Sequence, residues 1–161
     1  MSATLAIPYA DMAKQEINDF REKFDCGEPS LNEYLVNTMG QHNKKGITPS
    51  FLLPSTDPLH PLIGYYSLTH GQLDCSGLTE STKKKLKLPN IVPILRLSRL
   101  AIDKHFEKKG FGKILMAEIF YRAQISKQNG GCVFIVVDAL HEDAKKYYEK
   151  YGFEAMVDNP L

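Results

Sequence analysis

One change of rhythm limits what this chain can fold into more than any other feature. Residues 94–102 alternate, imperfectly, with Leu95, Leu97 and Leu100 set against Arg96, Ser98 and Arg99, as a half-buried strand does. A short polar stretch leads to Lys108-Lys109-Gly110-Phe111-Gly112-Lys113. Beyond it Ile114, Leu115, Ile119, Phe120 and Ala123 recur at three and four residues, the spacing of an amphipathic helix that ends before Asn129-Gly130-Gly131. A strand, a glycine turn and a helix in that order call for a mixed α/β fold. Glycines let the backbone turn tightly and come close to a ligand, and the first turn of a helix points unpaired N–H groups and the positive end of its dipole outward. An anion fits there, and three lysines around one point suit a pyrophosphate better than a single carboxylate. An isolated Gly-x-Gly can equally serve only to turn the chain. It is not a Rossmann fingerprint, because the third glycine position holds Leu115, nor a Walker loop, because Gly112-Lys113 is followed by Ile114.

The rest of the chain reads as helices and strands without internal repeats. Ser30 is placed to cap a helix, with Glu33 completing a capping box and Leu31, Tyr34, Leu35, Thr38 and Met39 on one face. Residues 49–53 and 62–68 read as an antiparallel strand pair, the second closed by Gly71. The lysine run that follows reads as a solvated loop. Residues 132–137 form a continuous apolar run, of the kind buried on both faces of a sheet. A last helix over 144–151 is stopped by Gly152, and residues 153–157 read as one more strand.

With 161 residues and 43% apolar composition, the chain suits one domain, 1–161, with a proper core. No apolar run reaches the roughly 18 to 20 residues of a membrane span. The stretch from Met1 to Pro8 lacks the basic flank and long apolar core of a secretory signal, so a cytoplasmic protein with no membrane contact is expected. Cys26, Cys75 and Cys132 are odd in number and widely spaced, which indicates neither a disulfide framework nor a zinc site; small buried thiols are the expectation. The net charge is only +1, yet Lys83 to Lys113 carries a local +8 and the remainder −7. One basic segment on an otherwise acidic chain suggests a partner bearing phosphates.

The sequence Glu107-Lys108-Lys109-Gly110-Phe111-Gly112, directly after Arg99-Leu100-Ala101-Ile102-Asp103, resembles the acetyl-CoA signature of the GNAT N-acetyltransferases, a strand followed by Gln/Arg-x-x-Gly-x-Gly/Ala and a helix. Both glycines match, and Glu107 stands where the family has glutamine or arginine. Downstream, residues 144–153, Ala144-Lys145-Lys146-Tyr147-Tyr148-Glu149-Lys150-Tyr151-Gly152-Phe153, look like the family's Ala-x-x-Phe-Tyr-x-x-x-Gly-Phe. The likeness covers nearly all of the chain from about Phe24. Phe24-Asp25-Cys26-Gly27-Glu28-Pro29-Ser30-Leu31-Asn32-Glu33-Tyr34-Leu35, Gly64-Tyr65-Tyr66-Ser67-Leu68 and Leu97-Ser98-Arg99-Leu100-Ala101-Ile102-Asp103 resemble the GNAT toxins of type II toxin–antitoxin modules.

That resemblance implies a GNAT-like α/β (α+β) fold, a mixed and mostly antiparallel central sheet flanked by helices. The family has one more strand after the turn signal Asp158-Asn159-Pro160, so the last strand is expected to be missing. It implies acetyl-CoA as cosubstrate, held by Leu100, Ala101 and Ile102 along the strand and by Lys108, Lys109, Gly110, Phe111, Gly112 and Lys113 at the pyrophosphate, with no metal. It implies acetylation of the α-amine of aminoacyl-tRNA, which stops translation, with a ribbon-helix-helix antitoxin as restraint; a homodimer is compatible with it. Tyr148 matches the family's general acid, which protonates the departing thiolate. RNA phosphates fall to the basic residues outside the cradle: Lys83, Lys84, Lys85, Lys87, Arg96 and Arg99.

The residues themselves bear on the acceptor. No His or carboxylate announces itself as a base, and His70 and His141 read as loop residues just past strands. A lysine amine, with pKa about 10.4, must give up roughly 4 kcal/mol to be neutral at pH 7.4, whereas an α-amine near 7.7 to 8.0 is already partly neutral. A site without a strong base therefore suits an α-amine. Two alternatives stand beside this reading: a GNAT enzyme acting on a small amine or peptide N-terminus, and a non-catalytic acyl-CoA-binding module.

Overall fold

A computed structural model describes residues 5–155. In chain order its main elements are β1 (Ile7–Pro8), α1 (Lys14–Lys23), α2 (Pro29–Glu33), a π-helical turn (Tyr34–Thr38), α3 (Met39–Lys44), β2 (Ser50–Pro54), β3 (Leu62–Asp74), α4 (Glu80–Leu86), β4 (Ile91–Ile102), α5 (Phe111–Gln128), β5 (Phe134–Val137) and α6 (Glu142–Glu149). The strands form one sheet in the order β1-β2-β3-β4-β5. β1 and β2 pair antiparallel, as do β2 and β3, with Phe51 opposite Tyr66 and a register shift between Leu53 and Pro54. The mixed α/β architecture inferred from the strand-to-helix switch is the one the chain adopts. No helix among the described residues is long and apolar enough to cross a membrane.

The described residues fall into two compact units, one of 5–69 with 97–125, the other of 70–96 with 126–155. In the first, Ile17, Phe20 and Phe24 project from one side of α1 and its end, at the three- and four-residue spacing of an amphipathic helix, onto Tyr34, Leu35, Met39, Leu52, Leu62, Tyr65 and Ala101. Phe20 is 2% exposed, and such burial contributes about 1.5–3 kcal/mol per large side chain. In the second unit a smaller core gathers Cys75, Val92 and Ile94, with Leu73, Leu78, Leu88, Phe134 and Val136 packed on it.

Several expectations need correcting. The helix after the Asp25-Cys26-Gly27 turn starts at Pro29, with Glu28 in the capping position and no side-chain cap, so Ser30 lies inside its first turn. Proline at the first helical position has no N–H to leave unpaired, which removes the need for a hydroxyl cap. β3 runs through Gly71 to Asp74, placing His70 within the strand. β4 begins at Ile91 and tolerates Pro93. The lysine run is a helix, α4, started by Thr79, whose hydroxyl accepts from the Thr82 N–H. In α5 the buried face holds Leu115, Met116, Glu118, Ile119 and Ala123, while Ile114 and Phe120 are exposed, so the apolar stripe is rotated from the one the spacing suggested. β5 covers only four residues, all half-buried rather than enclosed on both faces. His141 caps α6, accepting from the Ala144 N–H at 3.2 Å. Cys26 is half-buried, whereas Cys75 and Cys132 are buried; all three are free thiols. Residues 153–155 form no strand, and the remainder of that expected strand, with the Asp158-Asn159-Pro160 turn and the question of a missing strand, lies outside the described residues.

Candidate acyl-carrier and acceptor site

β4 ends in a clasp built by Asp103. This carboxylate, 3% exposed, accepts from the Asp25 N–H at 3.1 Å and the His105 N–H at 2.8 Å, while its own N–H donates to the Ile63 carbonyl at 2.8 Å. Asp25 in turn accepts from the Gly27 N–H at 2.9 Å and the Asn32 side-chain amide at 3.0 Å, and its carbonyl receives the Lys104 N–H at 2.9 Å. The Gly27 N–H bond is the main reason the Asp25 carboxyl is held below the usual carboxylate range, with Asn32 adding to it. Together these bonds fix where the chain leaves the strand. Sequence reading passed over this pair, because nothing in local spacing ties Asp25 to Asp103.

The strand itself is pressed close to β3. A Cβ on Gly64 would lie 2.5 Å from the Ala101 carbonyl oxygen and 2.8 Å from Ile102 Cδ1, so only glycine lets the two strands approach here. Ala101 is buried, and Leu100 and Ile102 are half-buried.

After the Lys104–Phe106 turn the chain takes two left-handed steps, Lys108 at φ +61° and Gly110 at φ +90°, and then α5 begins. Gly110 accepts the first helical bond, from the Ile114 N–H at 3.3 Å. The N–H groups of Phe111, Gly112 and Lys113 thus lie in the first turn of the helix, the position whose donors a helix does not itself pair. A Cβ on Gly110 would meet nothing within 4 Å, so the space beside this backbone is open, and the glycine is required by its φ rather than by crowding. Lys108, Lys109 and Lys113, next to it in the chain, are exposed, with Lys109 Nζ 5.8 Å from the centroid of the Phe106 ring. A positive dipole end, first-turn N–H donors, room and three nearby lysines fit a pyrophosphate on residues present in the chain.

Tyr148 lies on α6. Its ring meets Tyr147 at 5.4 Å and Phe153 at 5.8 Å, both edge-on, and burial pushes the phenol up to about 12. Tyr147, whose hydroxyl is 3.5 Å from that of Tyr151, is also raised by burial.

The basic residues expected to meet RNA divide into two sets. Lys84, Lys85 and Lys87 lie on or just after α4 and are largely exposed; Lys83 is half-buried and 3.4 Å from Glu80, a pair near the surface and worth little. Lys87 closes that helix in the left-handed region, at φ +49°. Arg96 is bound to Asp138 at 2.6 Å. Arg99 lies over the Tyr34 ring, its guanidinium carbon 3.6 Å from the centroid, beside a polar group in which Tyr34 meets His42 at 3.0 Å and Ser50 meets Ser67 at 2.7 Å. Arg96 thus has an acidic partner at the surface and Arg99 an aromatic one, whereas Lys84, Lys85 and Lys87 are exposed.

Residues 63–155, more than half of the chain, match the family model of the acetyltransferase (GNAT) domain. A tRNA-acetylating toxin of Mycobacterium tuberculosis is 29% identical over 138 residues, covering 86% of this chain and 80% of that protein. Among solved structures, AtaT complexed with acetyl-methionyl-tRNAfMet superposes with a TM-score of 0.79 at 29% identity, covering 87% of this chain and 83% of that one. An AtaT mutant with phenylalanine in place of a tyrosine, bound to the C-terminus of the antitoxin AtaR and acetyl-CoA, gives 0.67 at 25% identity, covering 84% and 75%.

Proposed function

We propose, from the premise that this chain belongs to the GNAT acetyltransferases, that it is a toxin which transfers acetyl from acetyl-CoA to the α-amine of aminoacyl-tRNA and so blocks translation. The observation that carries the reading is the left-handed Gly110 at the open N-terminal end of α5, with the exposed Lys108, Lys109 and Lys113 next to it in the chain, because a helix start of that kind suits the diphosphate that acetyl-CoA carries. Acetyl-CoA supplies the acetyl group as an activated thioester. Phe111, Gly112 and Lys113 would hold its pyrophosphate through their N–H groups, and Leu100, Ala101 and Ile102 would offer strand backbone to its amides. Tyr148, protonated across the neutral range, donates its proton at the departing sulfur. Lys83, Lys84, Lys85 and Lys87 bind the phosphates of the charged tRNA, with Arg96 and Arg99 as further cations for the same substrate. An antitoxin, of the ribbon-helix-helix type, is the partner that restrains such a toxin, in keeping with the AtaT–AtaR complex. Residues 1–161 act as a single catalytic domain in the cytoplasm, where charged tRNA is found.

Purified protein incubated with acetyl-CoA and charged bulk tRNA should acetylate the aminoacyl end. Absence of transfer to tRNA alongside release of free thiol with small amines would move the acceptor to a small molecule. Tight acetyl-CoA binding with no transfer to any amine would leave a binding module.

A further inference from the structure

Away from these residues, three side chains that no step above uses converge on the surface of the first unit. Asp57 and His60 lie between β2 and β3, and His105 lies in the turn that leads from β4 toward α5. One ligand atom from each falls within 4.8 Å of the others. His105 Nε2 is 3.8 Å from Asp57 Oδ2, and the His60 and His105 rings lie parallel, 3.9 Å between centroids and 2° between planes. Asp57 is pre-aimed: its Oδ1 accepts from the Leu59 N–H at 2.9 Å, leaving Oδ2 toward His105. The Asp57 and His105 side chains are 39% and 42% exposed, so an ion could reach them from solvent.

We propose that Asp57, His60 and His105 form a site for one divalent transition-metal ion, Zn²⁺ or a similar imidazole-seeking cation, that staples the β2–β3 loop to the turn before α5. Two imidazoles and one carboxylate are a donor set for zinc, copper or nickel rather than for calcium or magnesium, which take oxygen. In a tetrahedral zinc site with bonds of about 2.0–2.2 Å, neighbouring donors stand about 3.3 Å apart. The present spacing therefore needs to close by an ångström or so, within reach of side chains on irregular segments. The rings must also turn: an imidazole lone pair lies in its ring plane, and two parallel planes 3.9 Å apart cannot share one ion. Loading therefore breaks the stack and leaves a fourth position open to water. The cysteine-based reading could not find this site, since it uses no thiol and joins residues far apart in the chain. Because Phe106 packs on His105 at 4.9 Å and on Phe111 at 5.7 Å, an ion here also steadies the start of α5.

The test is a Zn²⁺ titration of the untagged, metal-stripped chain against a chromophoric chelator, with Co²⁺ absorption as a second readout of imidazole ligation. The wild type should bind one ion per chain and show a rise in Tm with Zn²⁺. His105→Ala and Asp57→Asn should bind about 100-fold more weakly or worse and lose the Tm rise, while His70→Ala, at an exposed position of β3, should behave as wild type. The variants should match the wild type in circular dichroism without metal, so a loss of binding is not a loss of fold. Equal affinity in wild type and in both ligand variants, or loss of binding in His70→Ala, overturns the proposal.

Discussion

At Tyr148, burial and chemistry pull in different directions. A phenol pushed up to about 12 stays protonated at neutral pH, as an acid must, yet it lies about 3.5 units above a thiol of about 8.5. A separate proton transfer to a free thiolate would run uphill by about 5 kcal/mol, so the proton has to move as the carbon–sulfur bond breaks. Tyr148→Phe should therefore lower turnover on charged tRNA about 10²–10⁴-fold, with acetyl-CoA affinity unchanged by equilibrium titration. The same burial carries a sign for stability. The folded-state pKa is raised, so the contribution of Tyr148 is fully present below the unfolded value near 10 and is lost as pH rises toward 12. Denaturant midpoints between pH 9 and 12 should fall for the wild type, and less steeply for the phenylalanine variant. Tyr148 could be picked out because its motif is local; the paired Asp25 and Asp103 could not, being 78 residues apart.

Among elements, β4 and α5 show how far periodicity reaches. The alternation in residues 94–102 located a strand and the glycines located the helix start, because both depend on neighbours only a few positions away. The face of α5 was misjudged: Glu118, 1% exposed, turns inward to accept from Tyr66 at 3.0 Å and from the Ala6 N–H at 3.1 Å, so a charged residue occupies the buried side. Spacing rules count a glutamate as polar and place it outside; a partner supplied by another element reverses that. Gly64 gives a test at the same scale. Gly64→Ala would push its methyl against the Ala101 carbonyl, and the expected cost is about 1–3 kcal/mol, read as a lower denaturant midpoint together with weaker acetyl-CoA binding.

Over the whole molecule the uneven charge is the feature with the longest reach. A basic stretch of local +8 in a chain of net +1 favours a polyanionic partner, and α4 with its end leaves Lys84, Lys85 and Lys87 exposed. Replacing Lys83, Lys84, Lys85 and Lys87 by alanine should raise KM for charged tRNA, with acetyl-CoA binding unaffected. The salt dependence should become shallower by about one unit of slope for each phosphate that is no longer neutralised. An unchanged salt slope would place the RNA elsewhere.

The amino-acid sequence by itself determined the order of strand, glycine turn and helix, the two motifs that carry the family, and the location of the basic segment, because each is written in residues close together along the chain. The tertiary structure decided what those residues are able to do. It committed Arg96 to Asp138 and Arg99 to the Tyr34 ring, turned Glu118 inward, closed the Asp25–Asp103 clasp and brought Asp57, His60 and His105 together. Those outcomes rest on interactions between distant segments, whose energies depend on burial and geometry that no local spacing encodes.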